Sequence, residues 1–288
     1  MLWLLLAACL SFGFGQLFKW SQRRGCHAPT VVSANYVALA TVLALWHLWS
    51  GKDFTAPASL IVGGSMGMAF IVAMLVMTAA LERAPVAMVL TSFRLAILFP
   101  IVISVWLWGE SLSIMQGSGI VLALVALALI SAARAPSSTG PVGEPSSTGP
   151  VGVAALLTGL LVFSTQGVGQ ICLRWVHYAG LDEQRLTVLM TCAATAGVVG
   201  SVVVLLQGYR PGWRDVQMGI GIGLFNLVCL GTVLTALSRL DGTLFFPVTG
   251  CLVVLLDSLF AHFWWKEPLG RLGVFGAGLG ALAMLLVL

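Results

Sequence analysis

Two ionisable side chains stand out because of where they lie. Arg94 falls inside the apolar run 85–108 and Asp257 inside the run 243–265. A charge at such a position costs roughly 2.5–3.5 kcal/mol by membrane-insertion scales and therefore faces a cavity or a partner. A guanidinium fork suits a planar anion, so Arg94 is a candidate ligand for a carboxylate or phosphate on a bound solute, or a gating residue. Burial raises a carboxylate pKa toward working pH, which suits Asp257 to coupling by a proton or cation. The competing reading is that the two are permanent counter-ions. Asp257 lies about three residues past the centre of its run, and Arg94 about as far before the centre of its own.

The uncharged candidates are weaker. Gln16, Gln166 and Gln170 stand beside glycines, and Gln166 and Gln170, four apart, share a helix face. They could line a cavity, or bond between helices at about 0.6 kcal/mol each. Position near a run end favours interhelical bonding for Gln16 and Gln170; Gln166 is the better cavity candidate. Tyr36, Asn35 and Asn226 carry the same two readings. His47 and His262 sit near run ends with no carboxylate at metal-ligand spacing, so neither a metal nor a cofactor is expected. Six cysteines without a CxxC spacing read as small core residues.

The elements that must position these residues follow from composition. Of 288 residues 59% are hydrophobic and 8% charged, against roughly 25% charged in a soluble domain. That excludes a soluble enzyme, a nucleic-acid binder and a secreted disulfide scaffold. The apolar runs are 2–18, 31–49, 59–81, 85–108, 113–133, 153–173, 185–207, 216–237, 243–265 and 269–288. Each is long enough to cross a hydrocarbon core of about 30 Å as a helix. The expected fold is an all-α membrane protein of ten transmembrane helices. Tryptophans at run ends, among them Trp3, Trp20, Trp49, Trp106, Trp108, Trp175, Trp264 and Trp265, form an aromatic belt. Pro100 and Pro247 can kink their spans. Glu110 and Glu267 are placed to cap the N-termini of spans five and ten.

The chain divides at 135–152, a flexible tandem of Pro, Gly, Ser and Thr. The flanking halves, 1–134 and 153–288, resemble each other. Ser11–Gln16 matches Thr165–Gln170, Ala80–Arg83 matches Ala236–Arg239, Gly63 and Gly67 match Gly219 and Gly223, and Glu110 matches Glu267, at offsets of 154, 156, 156 and 157. Four matches in order indicate a duplicated unit. Because each half has five spans, an odd number, the second enters the membrane inverted, an arrangement typical of secondary transporters. Inversion carries Arg94 and Asp257 to similar depth.

The stretch Ala79-Ala-Leu-Glu-Arg-Ala-Pro-Val-Ala87, with Pro100, Trp108-Gly-Glu-Ser-Leu112 and Gln116-Gly-Ser-Gly119, resembles the ten-helix EamA-like branch of the drug/metabolite transporter superfamily. The second copy is looser, since Lys266-Glu267-Pro268 replaces Gly-Glu-Ser. Span one, with Gly13, Gly15 and Lys19, is similar to the family's opening helix. The resemblance covers the chain outside the linker. It implies alternating access through a cavity built by helices one to four and six to nine, with five and ten in support.

The expected function is export of a small organic metabolite, such as an amino acid or drug, by a non-enzymatic secondary transporter. The implied setting is the bacterial inner membrane, as a multi-pass monomer or homodimer. The expected partners are a small solute, the lipid bilayer and a coupling proton or cation, with no nucleic acid. A lipid or lipid-phosphate flippase on the same fold is the alternative, and an intramembrane enzyme a more distant one. Odd-numbered connections hold nine basic residues and even-numbered ones four (Lys52, Arg174, Arg185 and Arg239). The positive-inside rule would then put both termini outside, whereas the family has them inside.

Overall fold

Hydrocarbon offers no water to a free peptide group, so apolar runs of this length close their hydrogen bonds within themselves. The computed structural model describes residues 1–51, 57–83, 86–133, 153–264 and 271–287, and is helical with no strand among them. The helices are α1 Leu2–Arg23, α2 Ala28–Ser50, α3 Pro57–Arg83, α4 Val86–Leu95, α5 Leu98–Trp106, α6 Ile114–Ala133, α7 Val153–Tyr178, α8 Arg185–Leu206, α9 Trp213–Leu237, α10 Gly242–Phe263 and α11 Arg271–Val287. Seven of them, α1–α3 and α7–α10, are long and apolar enough to cross a membrane. Leu48, Trp49, Ile61, Leu205, Leu206 and Phe263 are all exposed. A surface of that kind suits hydrocarbon rather than water. The chain is built as an integral membrane protein. The linker, Glu267 and the side chain of His262 lie outside the described residues.

One expected span is two helices. The run 85–108 breaks after Leu95 and resumes at Leu98, and Pro100 is the physical reason. Proline has no N–H and its ring crowds the carbonyl four residues earlier, which here belongs to Ala96. That carbonyl accepts instead from Phe99 N–H at 3.1 Å, a tightened turn, while Ala96 N–H still reaches Ser92 O at 3.2 Å. Pro247 produces no such break; α10 runs through it.

The packing exchanges partners between the halves. Helix α1 lies against α9 and α10, as α7 lies against α3, α4 and α5; α2 meets α8 and α9, as α8 meets α2 and α3; α6 lies along α11. Direction alternates too. The segment after α1 meets the start of α9, His27 N–H reaching Asp215 Oδ1 at 3.2 Å. The end of α7 meets the end of α9, Arg174 Nη1 reaching Leu240 O at 2.9 Å. Helices α1 and α7 therefore run in opposite senses along α9.

Glycine pairs make the tightest seams. A Cβ on Gly63 would lie 2.6 Å from the Val188 carbonyl oxygen of α8, and one on Gly223 would lie 2.5 Å from the Asn35 carbonyl oxygen of α2. Only a residue without a side chain permits that approach. Backbone cannot yield as a flexible side-chain tip can. Gly223→Ala is therefore expected to destabilise the protein by about 1–3 kcal/mol. Gly15→Ala, where a Cβ meets nothing within 4 Å, is expected to be neutral or stabilising. Thermal unfolding of the two variants in detergent checks the contrast.

Candidate functional site

Three helices meet at a charged cluster. Arg94, in the last turn of α4, places Nη2 3.0 Å from Asp257 Oδ2 on α10. From α1, Gln16 Nε2 donates to the other oxygen, Oδ1, at 2.8 Å. One turn away, Phe12 and Phe260 meet edge to face at 5.5 Å and brace α1 against α10. The break at Ala96–Ile97 follows Arg94 directly, so the guanidinium stands at the C-terminal end of α4, where the helix dipole favours a cation.

The cluster is not saturated. A carboxylate offers about four lone-pair positions and an arginine five N–H donors. Among the described residues Asp257 accepts two hydrogen bonds and Arg94 donates one, and their side chains retain 13% and 26% of their exposure. Both ions keep bonding capacity and access. Together they could receive a group that is itself charged or strongly polar.

The remaining candidates are dispersed. Asn226 Nδ2 donates to Asn35 Oδ1 at 3.2 Å, both buried, at the α9–α2 seam. That is interhelical bonding. Tyr36 is half-buried against the core. Gln166 and Gln170 are half-buried on α7 and make no side-chain hydrogen bond among the described residues; the glycines beside them, Gly167 and Gly169, lie beneath Phe99 and Phe70. Gln16, read from its position as an interhelical residue, is bonded to the ion pair itself. His47 is buried, not interfacial, with Nε2 2.9 Å from Thr187 Oγ1 and Nδ1 2.9 Å from Leu43 O. Cys172, Cys192, Cys229 and Cys251 are buried core residues, while Cys9 is exposed. No group of three His, Cys, Asp or Glu among the described residues is placed to hold a metal.

The most buried charge among the described residues is one that sequence position places in a loop. Arg174 counted as a loop cation, but it is a fully enclosed residue of α7, 1% exposed. Its partner is Glu110, at 2.6 Å through Nη2 and 3.0 Å through Nε. Its Nη1 donates to the carbonyls of Leu237 and Leu240. Glu110 was expected to cap span five. It caps α10 instead, taking the N–H groups of Gly242 at 3.1 Å and Thr243 at 2.9 Å, together with the Tyr178 hydroxyl at 3.0 Å. Helix α6 has its own cap: Ser113 Oγ accepts from Gln116 N–H and Gln116 Oε1 from Ser113 N–H, each at 3.1 Å. Trp108 stacks on Tyr178 at 4.5 Å and covers the group.

Burial alone would raise the Glu110 carboxyl, but the N–H of Thr243, the Arg174 guanidinium and the N–H of Gly242 override it and hold the pKa at about 2, from an ordinary 4.5. A depressed carboxylate contributes stability that is complete above its unfolded pKa and is lost as pH falls through its folded one. Unfolding monitored between pH 6 and pH 2 is expected to show stability falling from about 4.5 downward. Glu110→Gln is expected to be less stable at neutral pH and to show a weaker acid dependence.

No family model and no curated protein matches this chain. Solved structures do. One, a crystal structure of a protein, superposes with a TM-score of 0.77 over 99% of this chain and 94% of its own, at 16% sequence identity. At that identity the likeness shows the fold alone.

Proposed function

We propose that the chain is a secondary transporter of the drug/metabolite type, EamA-like, with two inverted five-helix repeats, moving a small organic solute by alternating access. The observation that carries this reading is the unsaturated Arg94–Asp257 pair, with Gln16 bonded to it. It joins α1, α4 and α10, from both halves of the chain, beside a broken helix. Discontinuous helices at a repeat interface are a common setting for transporter sites. The repeat reading draws support from the four sequence matches, the exchanged packing partners and the opposite senses of α1 and α7.

The chemistry then runs through competition for Arg94. An anionic group on the solute takes the free side of the guanidinium and displaces Asp257. The carboxylate, left without its cation, then takes the coupling ion as its new partner. Solute binding and ion binding are thereby linked. With Arg174 withdrawn from the loop count, even connections hold Lys52, Arg185 and Arg239 against nine basic residues in the odd ones. That count supports the odd connections in the cytoplasm and both termini outside by the positive-inside rule, against the family habit of termini inside.

A ligand that binds only the folded state raises its melting temperature. Purified protein in detergent, screened against amino acids, nucleosides, sugars, polyamines and lipid phosphates, is expected to be stabilised by an anionic organic solute. Arg94→Ala is expected to weaken that binding at least tenfold. Stabilisation by lipid phosphates alone would favour the flippase. Folded Arg94→Ala and Asp257→Asn proteins that both transport normally in proteoliposomes would refute the site.

A further inference from the structure

The turn after α1 and the start of α9 enclose a half-open cavity of about 610 Å³, lined by Trp20, Arg24, Cys26, Arg214, Gln217 and Met218. It lies at the end of the bundle where the α1–α2 connection meets the α8–α9 connection, with the His27 and Tyr209 rings stacked at 3.8 Å between them.

Its charge is one-sided. Arg24 and Arg214 line it, and Arg210 stands in the connection just before Arg214, against Asp215 as the acid of these two segments. Asp215 stands at the edge of the cavity beside Cys26 and is occupied by other donors: its carboxylate accepts from His27 N–H at 3.2 Å, Tyr209 Oη at 3.1 Å and Gly212 N–H at 3.2 Å, closing the N-terminus of α9. Neither Arg24 nor Arg214 has an acidic partner among the described residues. Arg24 lies over the Trp20 ring, 3.8 Å from its centroid, which fixes the guanidinium at the cavity wall. Arg214 is in the first turn of α9, where the helix dipole opposes a cation. It gains nothing from its own helix. Two uncompensated guanidiniums facing one space are matched by a group carrying two negative charges, and their forks fit phosphate oxygens. Gln217 offers a further donor, and Trp20 and Met218 an apolar wall.

We propose that this cavity binds a phosphate monoester, its charge shared between Arg24 and Arg214. It is a site separate from the Arg94–Asp257 cluster and does not depend on transport. The phosphate could belong to a lipid headgroup, since Trp20 and Trp213 are exposed at this end as interfacial residues are, or to a soluble molecule. In the soluble case the stripe Gln16, Trp20, Arg24, four residues apart along α1, places it about 12 Å from Gln16.

The test is native mass spectrometry of the delipidated protein. Three probes are titrated: dioctanoyl phosphatidic acid, glycerol 3-phosphate, which is its headgroup without acyl chains, and dioctanoyl phosphatidylcholine. One phosphate monoester is expected to bind per chain, at least tenfold more weakly to Arg24→Gln and to Arg214→Gln, with phosphatidylcholine not retained. Both side chains are exposed, so the fold survives their loss. Comparable binding of glycerol 3-phosphate identifies a soluble ligand; retention of the acylated form alone identifies a lipid. Arg239→Gln, at the other end of α9, is expected to bind as the unaltered protein does. The proposal fails if neither monoester binds, if Arg24→Gln and Arg214→Gln bind unchanged, or if Arg239→Gln loses as much.

Discussion

A charge taken out of water must be met by an opposite charge and by enough hydrogen bonds to replace the water it lost. Two ion pairs among the described residues meet that constraint, and the two solutions differ. Glu110 receives two nitrogens of Arg174, the Tyr178 hydroxyl and two backbone N–H groups. Arg174 spends the rest of its fork on two carbonyls. Nothing remains to offer a ligand, and removing either ion would strand the other. Asp257 receives one nitrogen of Arg94 and one of Gln16. An arginine and a carboxylate thus build a rivet at one place and an open site at another. Saturation, rather than burial alone, separates them.

How much of this could be read beforehand depended on whether the partner could be inferred from the residue's own surroundings. Helix positions were legible because apolar length and periodicity are local. The Arg94–Asp257 pair was legible too, since both stand inside apolar runs and inversion of the second half equalises their depth. Arg174 was not. It follows the last residue of the run 153–173, and nothing in the adjacent sequence tells an interfacial cation from an enclosed one. Glu110 was assigned to the nearest helix start, whereas the N–H groups it satisfies lie more than a hundred residues away, at Gly242 and Thr243. A weak signal did exist. Ser113 and Gln116 already form a complete cap for α6, which left Glu110 free for another partner. Asn226 and Asn35 show the opposite limit: their residue types allowed cavity lining and interhelical bonding equally, and only the α2–α9 contact decides for bonding.

The backbone also sorts what holds from what can move. The seams of α3 on α8 and of α9 on α2 bring glycines against carbonyl oxygens at distances that leave no room for a side chain. Such contacts lose about a quarter to a half of their dispersion energy when a gap of about 0.5–1 Å opens. Sliding along them would raise backbone past backbone, so they hold the inner helices together as a unit. The discontinuity lies elsewhere. Between α4 and α5 the ladder is interrupted by Pro100, and the carbonyl of Ala96 is held by a three-residue turn instead of a helical bond. Arg94 sits on the last turn before that interruption, and its partners Asp257 and Gln16 belong to the continuous helices α10 and α1. The ion pair therefore stands next to the one interruption described within the run 85–108. The proline that costs the fourth span its continuity thus leaves a tightened, non-helical turn just beyond the helix end that carries Arg94.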